Sequence, residues 1–172
     1  RLAMYEKLIR AAHGAGFVQT SVRDFFDMAR AGQLAGRKFI VHRHDIDTDL
    51  RTTRKMFEIE KKHGIRSSFY FRLSTLDIKL MREIEAYGSE ASYHYEELAT
   101  YAKKNRIKCP TALRARLPEI RSHFIANFLR IEQALGRKMR TVASHGDFVN
   151  RRLKVNNTEI LEDPQLRQDC GI

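Results

Sequence analysis

Strand-like and helix-like patterns alternate four times along this chain, and each strand-like run leads into an ionisable side chain. Phe39-Ile40-Val41 is too short for a helix and runs into His42-Arg43-His44-Asp45-Ile46-Asp47. Ser67-Ser68-Phe69-Tyr70-Phe71 runs into Arg72, Glu90 to Tyr93 into His94, and Met139 to Ser144 into His145-Gly146-Asp147. Strands separated by helices in this way form a parallel sheet through right-handed crossovers, with both faces covered. The expected class is therefore α/β, and reactive groups should gather beyond the carboxyl ends of the strands.

The helical stretches carry their own punctuation. Leu2, Tyr5, Leu8, Ile9 and Ala12 share one face and stop at Gly14 and Gly16. Ser21 is placed to cap a second helix, with Asp24 three residues on. Thr48 or Asp49 caps a helix carrying Leu50, Met56, Phe57 and Ile59 that ends at His63-Gly64. Ser74 or Thr75 caps the next, with Leu76, Leu80, Met81, Ile84 and Tyr87, closed by Gly88. A helix with Leu98 and Tyr101 follows, then a basic loop with Pro110. A long helix places Leu117, Ile120, Phe124, Phe128, Ile131 and Leu135 on one stripe up to Gly136, with Pro118 in its first turn.

A chain of 172 residues is long enough for one domain with a core. It divides into leading helices over residues 1–36, strand–helix units over 37–150 and a partial terminal segment over 151–172. Arg1 stands where Met is usual, and Glu162 to Ile172 reads as a connection, so the chain is read as an excerpt of a longer protein. No apolar run is long enough for a transmembrane segment. Cys109 and Cys170, with no CxxC spacing, indicate neither a disulfide framework nor a zinc ribbon and favour a reducing, cytoplasmic setting. The net charge of +11 invites an anionic ligand such as an acidic glycan, a phosphate-bearing lipid or nucleic acid. The basic clusters at 103–108, 137–140 and 151–154 lie at loops and helix ends and lack interleaved aromatic residues, so a nucleic-acid-binding domain ranks last.

Asp45 and Asp47, two apart on a strand, face one side with Arg43 on the same row. One carboxylate can hold a metal while the other takes a proton from water; the plain alternative is that one caps the next helix and the other pairs with Arg43. His94, beside Tyr93, Tyr95, Glu96 and Glu97, suits an imidazole ligand backed by a carboxylate. His145 is a third ligand, a general acid or a turn residue. His42 and His44 fall on the opposite strand face, His44 close enough to support the site, while His13, His63 and His123 read as structural. Arg43, Arg72, Tyr93 and Asn150 are the candidate substrate contacts. GxGxxG, P-loop, GxSxG and HExxH motifs are missing, so nucleotide cradling and serine nucleophiles are unsupported.

His44-Asp45-Ile46-Asp47, then His63 to Phe71, then Gly88 to Glu96 resemble the NodB-type polysaccharide deacetylases, carbohydrate esterase family 4, and more closely a deacetylase-like branch associated with bacterial surface glycans. The likeness covers residues 38–98, with looser support through His145-Gly146. It implies a partial or distorted (β/α) barrel with parallel strands and a divalent ion, usually zinc, held by one Asp and two His. It also implies hydrolysis of an N- or O-acetyl group on a carbohydrate. By position Asp45 matches the base, Asp47 the metal-binding carboxylate and His94 the first histidine of the second motif. Ile46 separates aspartates that are adjacent in the family, which leaves the two roles interchangeable. Leu98 stands where the family has its second histidine, so Glu97 or His145 has to take that ligand's place, or the metal is weakly held or missing. Three readings follow: a deacetylase of an amino sugar or acetylated surface polysaccharide, an inactive barrel that binds glycan or a partner, and the basic nucleic-acid binder.

Overall fold

A computed structural model describes all 172 residues, as two compact units, Arg1–Ser92 and Tyr93–Ile172. The first unit begins with α1 (Leu2–Gly14), whose Ile9 and Ala12 are buried, and then β1 (Phe17–Thr20). Helix α2 (Val22–Arg30) starts at Ser21, whose hydroxyl accepts from the Asp24 amide as the sequence predicts. Strand β1 pairs in parallel with β2 (Lys38–Val41), from Phe17 opposite Lys38 to Thr20 opposite Val41.

The run predicted as one strand from Lys38 onward is two, because the chain changes sheets at His42. The His42 amide donates to the Thr20 carbonyl at 2.9 Å, extending the β1 pairing. Its carbonyl accepts from the Ser68 amide at 3.0 Å, which opens the next sheet. Strand β3 (Arg43–Ile46) then pairs in parallel with β4 (Ser68–Phe71), from Arg43 opposite Ser68 to Ile46 opposite Phe71. All four residues of β4 are buried, as expected for a parallel strand covered on both faces.

Asp49 caps α3 (Leu50–Lys62), its carboxylate accepting from the Thr52 amide at 3.0 Å. The cap of α4 (Ile78–Tyr87) is Asp77, not Ser74 or Thr75. Residues Leu73–Thr75 form a short 3-10 turn instead, and the Thr75 hydroxyl donates to the Ile46 carbonyl at 2.6 Å, tying the turn to the end of β3. Gly88 ends α4 with φ +99°, where a Cβ would stand 3.1 Å from the Arg66 side chain. Phe57 meets Phe69 and Tyr87 edge-on, at centroid separations of 5.9 and 5.7 Å.

Strand β5 (Glu90–Tyr95) begins in the first unit, where the Glu90 amide donates to the Ser67 carbonyl, and ends in the second. It is two residues longer than the sequence suggests, so His94 lies within the strand. In the second unit β5 pairs in parallel with β6 (Val142–Ser144), with His94 opposite Ala143. The fold is thus α/β, with a parallel sheet ordered β3-β4-β5 in the first unit and β5-β6 in the second.

The second unit continues with α5 (Glu97–Lys104), α6 (Pro110–Arg114) and α7 (Leu117–Leu135). Phe124 is fully buried on α7, with its ring centre 6.0 Å from Tyr93, 5.2 Å from Tyr95 and 5.9 Å from Phe128. The terminal segment, read as a connection, is largely helical: α8 (Phe148–Leu153), a 3-10 turn at Asn157–Glu162, and α9 (Pro164–Cys170), which is capped by Asp163. No helix is long and apolar enough to cross a membrane.

Candidate functional site

In the first unit the carboxyl end of β3 opens onto a cleft of about 1020 Å³, lined among others by Tyr5, Arg43, His44, Asp45, Asp47 and Asp49. Burial alternates along β3: Arg43 and Asp45 are exposed and Ile46 is buried, as the period of a strand requires. Arg43 clasps Asp45 with two parallel bonds, Nε to Oδ1 and Nη2 to Oδ2, each 2.8 Å. Its guanidinium also lies 5.3 Å from the Tyr70 ring centre. The clasp occupies one lone pair on each Asp45 oxygen, and Arg43 is held by Asp45 before it meets any substrate. Asp47 follows the strand and is exposed, with Arg72 Nη1 3.5 Å from its carbonyl oxygen. Asp49 is committed to capping α3.

Behind the cleft lies a buried carboxylate that the sequence did not single out. Glu60 has no exposure and receives the Tyr5 hydroxyl, the Ser67 hydroxyl and His44 Nε2, the last at 2.6 Å. Burial, together with the Glu60 charge, pushes the Tyr5 phenol up, so it stays a donor. His42 is also buried, and this pulls its imidazole down toward the neutral form; its Nε2 stands 2.8 Å from Gln19 Oε1.

The second unit gathers the other predicted ligands. His94 is 2% exposed, and its Nδ1 stands 3.0 Å from the Ala143 carbonyl. A carbonyl can only accept, so Nδ1 carries the hydrogen and the ring's lone pair is on Nε2, the form in which an imidazole binds metal. His145 follows β6, its amide donating to the Tyr95 carbonyl at 2.9 Å, and its ring meets His94 edge-on at 5.1 Å. Glu96 Oε2 lies 3.5 Å from His145 Nδ1. Donor atoms of Glu96, His145 and Asp147 all fall within 4.8 Å of one another.

One imidazole and two carboxylates are a donor set that suits zinc. Atoms held by one ion at about 2.0–2.2 Å stand at most about 4.4 Å apart, so small side-chain rotations would close the group. Asp147 has competing duties: it caps α8 through the Val149 amide and pairs with Lys103 at 2.7 Å. Although burial opposes it, these partners hold the Asp147 carboxyl below its usual range.

Glu97, expected as a ligand, is not in this group. It is 6% exposed, and its Oε1 receives the Tyr93 hydroxyl and, at 2.9 Å, Asn127 Nδ2, while its Oε2 is buried without a partner. Burial pushes its carboxyl up against the pull of those two bonds, which favours the protonated form. Tyr93 is wholly buried and its hydroxyl is spent on Glu97, so it offers nothing to a substrate. Asn150 is buried too. Its Oδ1 accepts from the Asp147 amide and from Asn157, and its Nδ2 donates to the Val155 carbonyl, so it shapes the loop after His145. Glu96 and Glu97 both lie past the end of β5, as the cap and the first residue of α5, so the strand pattern gave no signal that would choose between them.

No known protein family, curated protein or solved structure matches this chain.

Proposed function

We propose that the protein is a metal-dependent hydrolase that removes acetyl groups from an amino sugar or an acetylated surface polysaccharide, on a barrel of the polysaccharide-deacetylase type. The observation that carries the proposal is the grouping of Glu96, His145 and Asp147 beside a His94 whose tautomer is set for ligation. A bound zinc ion would supply a Lewis acid and lower the pKa of water. Within this reading Glu96, His145 and Asp147 hold the ion, with His94 as a further donor. The test is acetate release from acetylated chitooligosaccharides and acetylated xylan. Release should fall by at least about a hundredfold with chelator, return with zinc, and fall to the same extent in His145→Gln. A zinc-loaded protein that frees no acetate from either substrate refutes the proposal.

The second reading, a catalytically inactive domain that binds glycan, draws on two ion pairs. Lys103 occupies Asp147 and Arg43 occupies Asp45, so two of the carboxylates the chemistry needs are already neutralised. That reading expects glycan binding that is indifferent to chelator.

A further inference from the structure

The first unit holds a second arrangement with the form of a catalytic device. Glu60 projects from α3 with no exposure, and three other parts of the unit converge on it: the hydroxyls of Tyr5 from α1 and Ser67 just before β4 donate to it, and His44 Nε2 from β3 stands 2.6 Å from its Oε1. A carboxylate that already accepts from two hydroxyls takes an imidazole nitrogen at 2.6 Å as a further donor. His44 Nε2 therefore carries the ring hydrogen and donates it to Glu60. The tautomer leaves the lone pair on Nδ1, which has no hydrogen-bond partner in the protein. His44 also lines the cleft, with its side chain 10% exposed. Edge contact with Tyr5 and a tilted contact with Phe69 at 4.8 Å hold the ring in place.

We propose that this cleft is a general-base site in which His44, oriented by Glu60, takes the proton of a bound water or sugar hydroxyl. In the step, the O–H bond breaks and an Nδ1–H bond forms, while the freed electron pair of the oxygen attacks an acyl carbon. The imidazolium so formed is stabilised by the Glu60 carboxylate. The bond from the acyl carbon to the departing nitrogen or oxygen then breaks, and the ring's proton passes to that atom, which restores the neutral ring. Glu60 is the positioning residue and His44 the catalytic one. The lining sets the class of ligand: Asp45, Asp47 and Asp49 line the cleft together with Arg1 and Arg43, and Arg43 is clasped to Asp45. A ligand rich in hydroxyl or ammonium donors, such as an amino sugar, suits this lining better than a phosphate, despite the net charge of +11. The inference lies wholly within the first unit and stands whether or not the second unit holds an ion.

The experiment uses the full chain in chelator, so failure of the metal reading leaves its outcome unchanged. Nitrogen-15 NMR of the histidine rings should show His44 with hydrogen on Nε2 and a pyridine-type Nδ1, and Glu60→Gln should let the other tautomer appear. Hydrolysis of 4-nitrophenyl acetate is the second readout. His44→Gln should slow it by about a hundredfold, the low end of what a positioned base supplies, and Glu60→Gln should lower kcat with little change in KM. A wild-type ring with its hydrogen on Nδ1 overturns the proposal, even where a variant fails to fold. So does a folded His44→Gln chain that hydrolyses the ester at the wild-type rate.

Discussion

Replacing Glu60 by alanine removes the acceptor of three donors at once. Ser67 is fully buried and the His44 side chain is 10% exposed, so neither can turn to bulk water in compensation. Tyr5 lines the open cleft and can recover a water, so it adds little. A buried donor left without an acceptor costs about 1–3 kcal/mol. Two such donors, less the relief of no longer burying a carboxylate, give an expected loss of about 3 kcal/mol. Because the donors come from α1, β3 and the residue just before β4, the loss should appear in unfolding of the whole first unit. Urea denaturation followed by circular dichroism reads it directly. With a slope of about 2 kcal/mol per molar, the midpoint should fall by about 1.5 M. Ser67→Ala, which removes one donor and leaves the carboxylate two others, should cost only about 1 kcal/mol. A Glu60→Ala midpoint within about 0.25 M of wild type would show that the three contacts do not bear on stability, and the reasoning would fail.

Arg23→Ala should cost about 3–5 kcal/mol in the same assay, because it removes the guanidinium paired with Glu85, which is at 6% side-chain exposure, and the donor to the Gly88 and Ser89 carbonyls; a loss under about 1 kcal/mol refutes it. Glu97→Gln should change how stability depends on pH. Burial raises the Glu97 pKa in the folded chain, so its contribution is full below the unfolded value of about 4.3 and is lost as pH rises through the folded value. Glutamine cannot ionise, so the variant should gain on wild type between pH 4 and pH 8, and parallel urea midpoints across that range would contradict the assignment.

How much of this was legible in the sequence differs from element to element. Helix α7 and strand β4 declared themselves because apolar periodicity and glycine punctuation agreed over their whole length. The break at His42 did not, since a change of sheet leaves no mark on an apolar run: only the partners of its amide and carbonyl reveal it. Strand β1 was hidden for a related reason, as Phe17-Val18-Gln19-Thr20 is short and half polar. Thr75 looked like a helix cap, but its hydroxyl serves the Ile46 carbonyl instead.

In the site, His94 and His145 were picked out from the positions of strand ends, while Glu97, chosen by its distance along the chain, opens α5 and accepts from Tyr93 and Asn127. Glu60 was not legible at all. A glutamate on a helix reads as solvent-facing, and its burial depends on donors at positions 5, 44 and 67, which only the folded chain brings to it.

Titrating zinc into the chelator-stripped full chain and measuring the stoichiometry tests the metal site built around His145. The account predicts one equivalent bound by wild type and none by His145→Gln. At a free zinc concentration a hundred times the Kd, wild type alone should gain about 2.7 kcal/mol of stability. Zinc that neither stays with the wild-type protein through dialysis nor shifts its unfolding would contradict the claim.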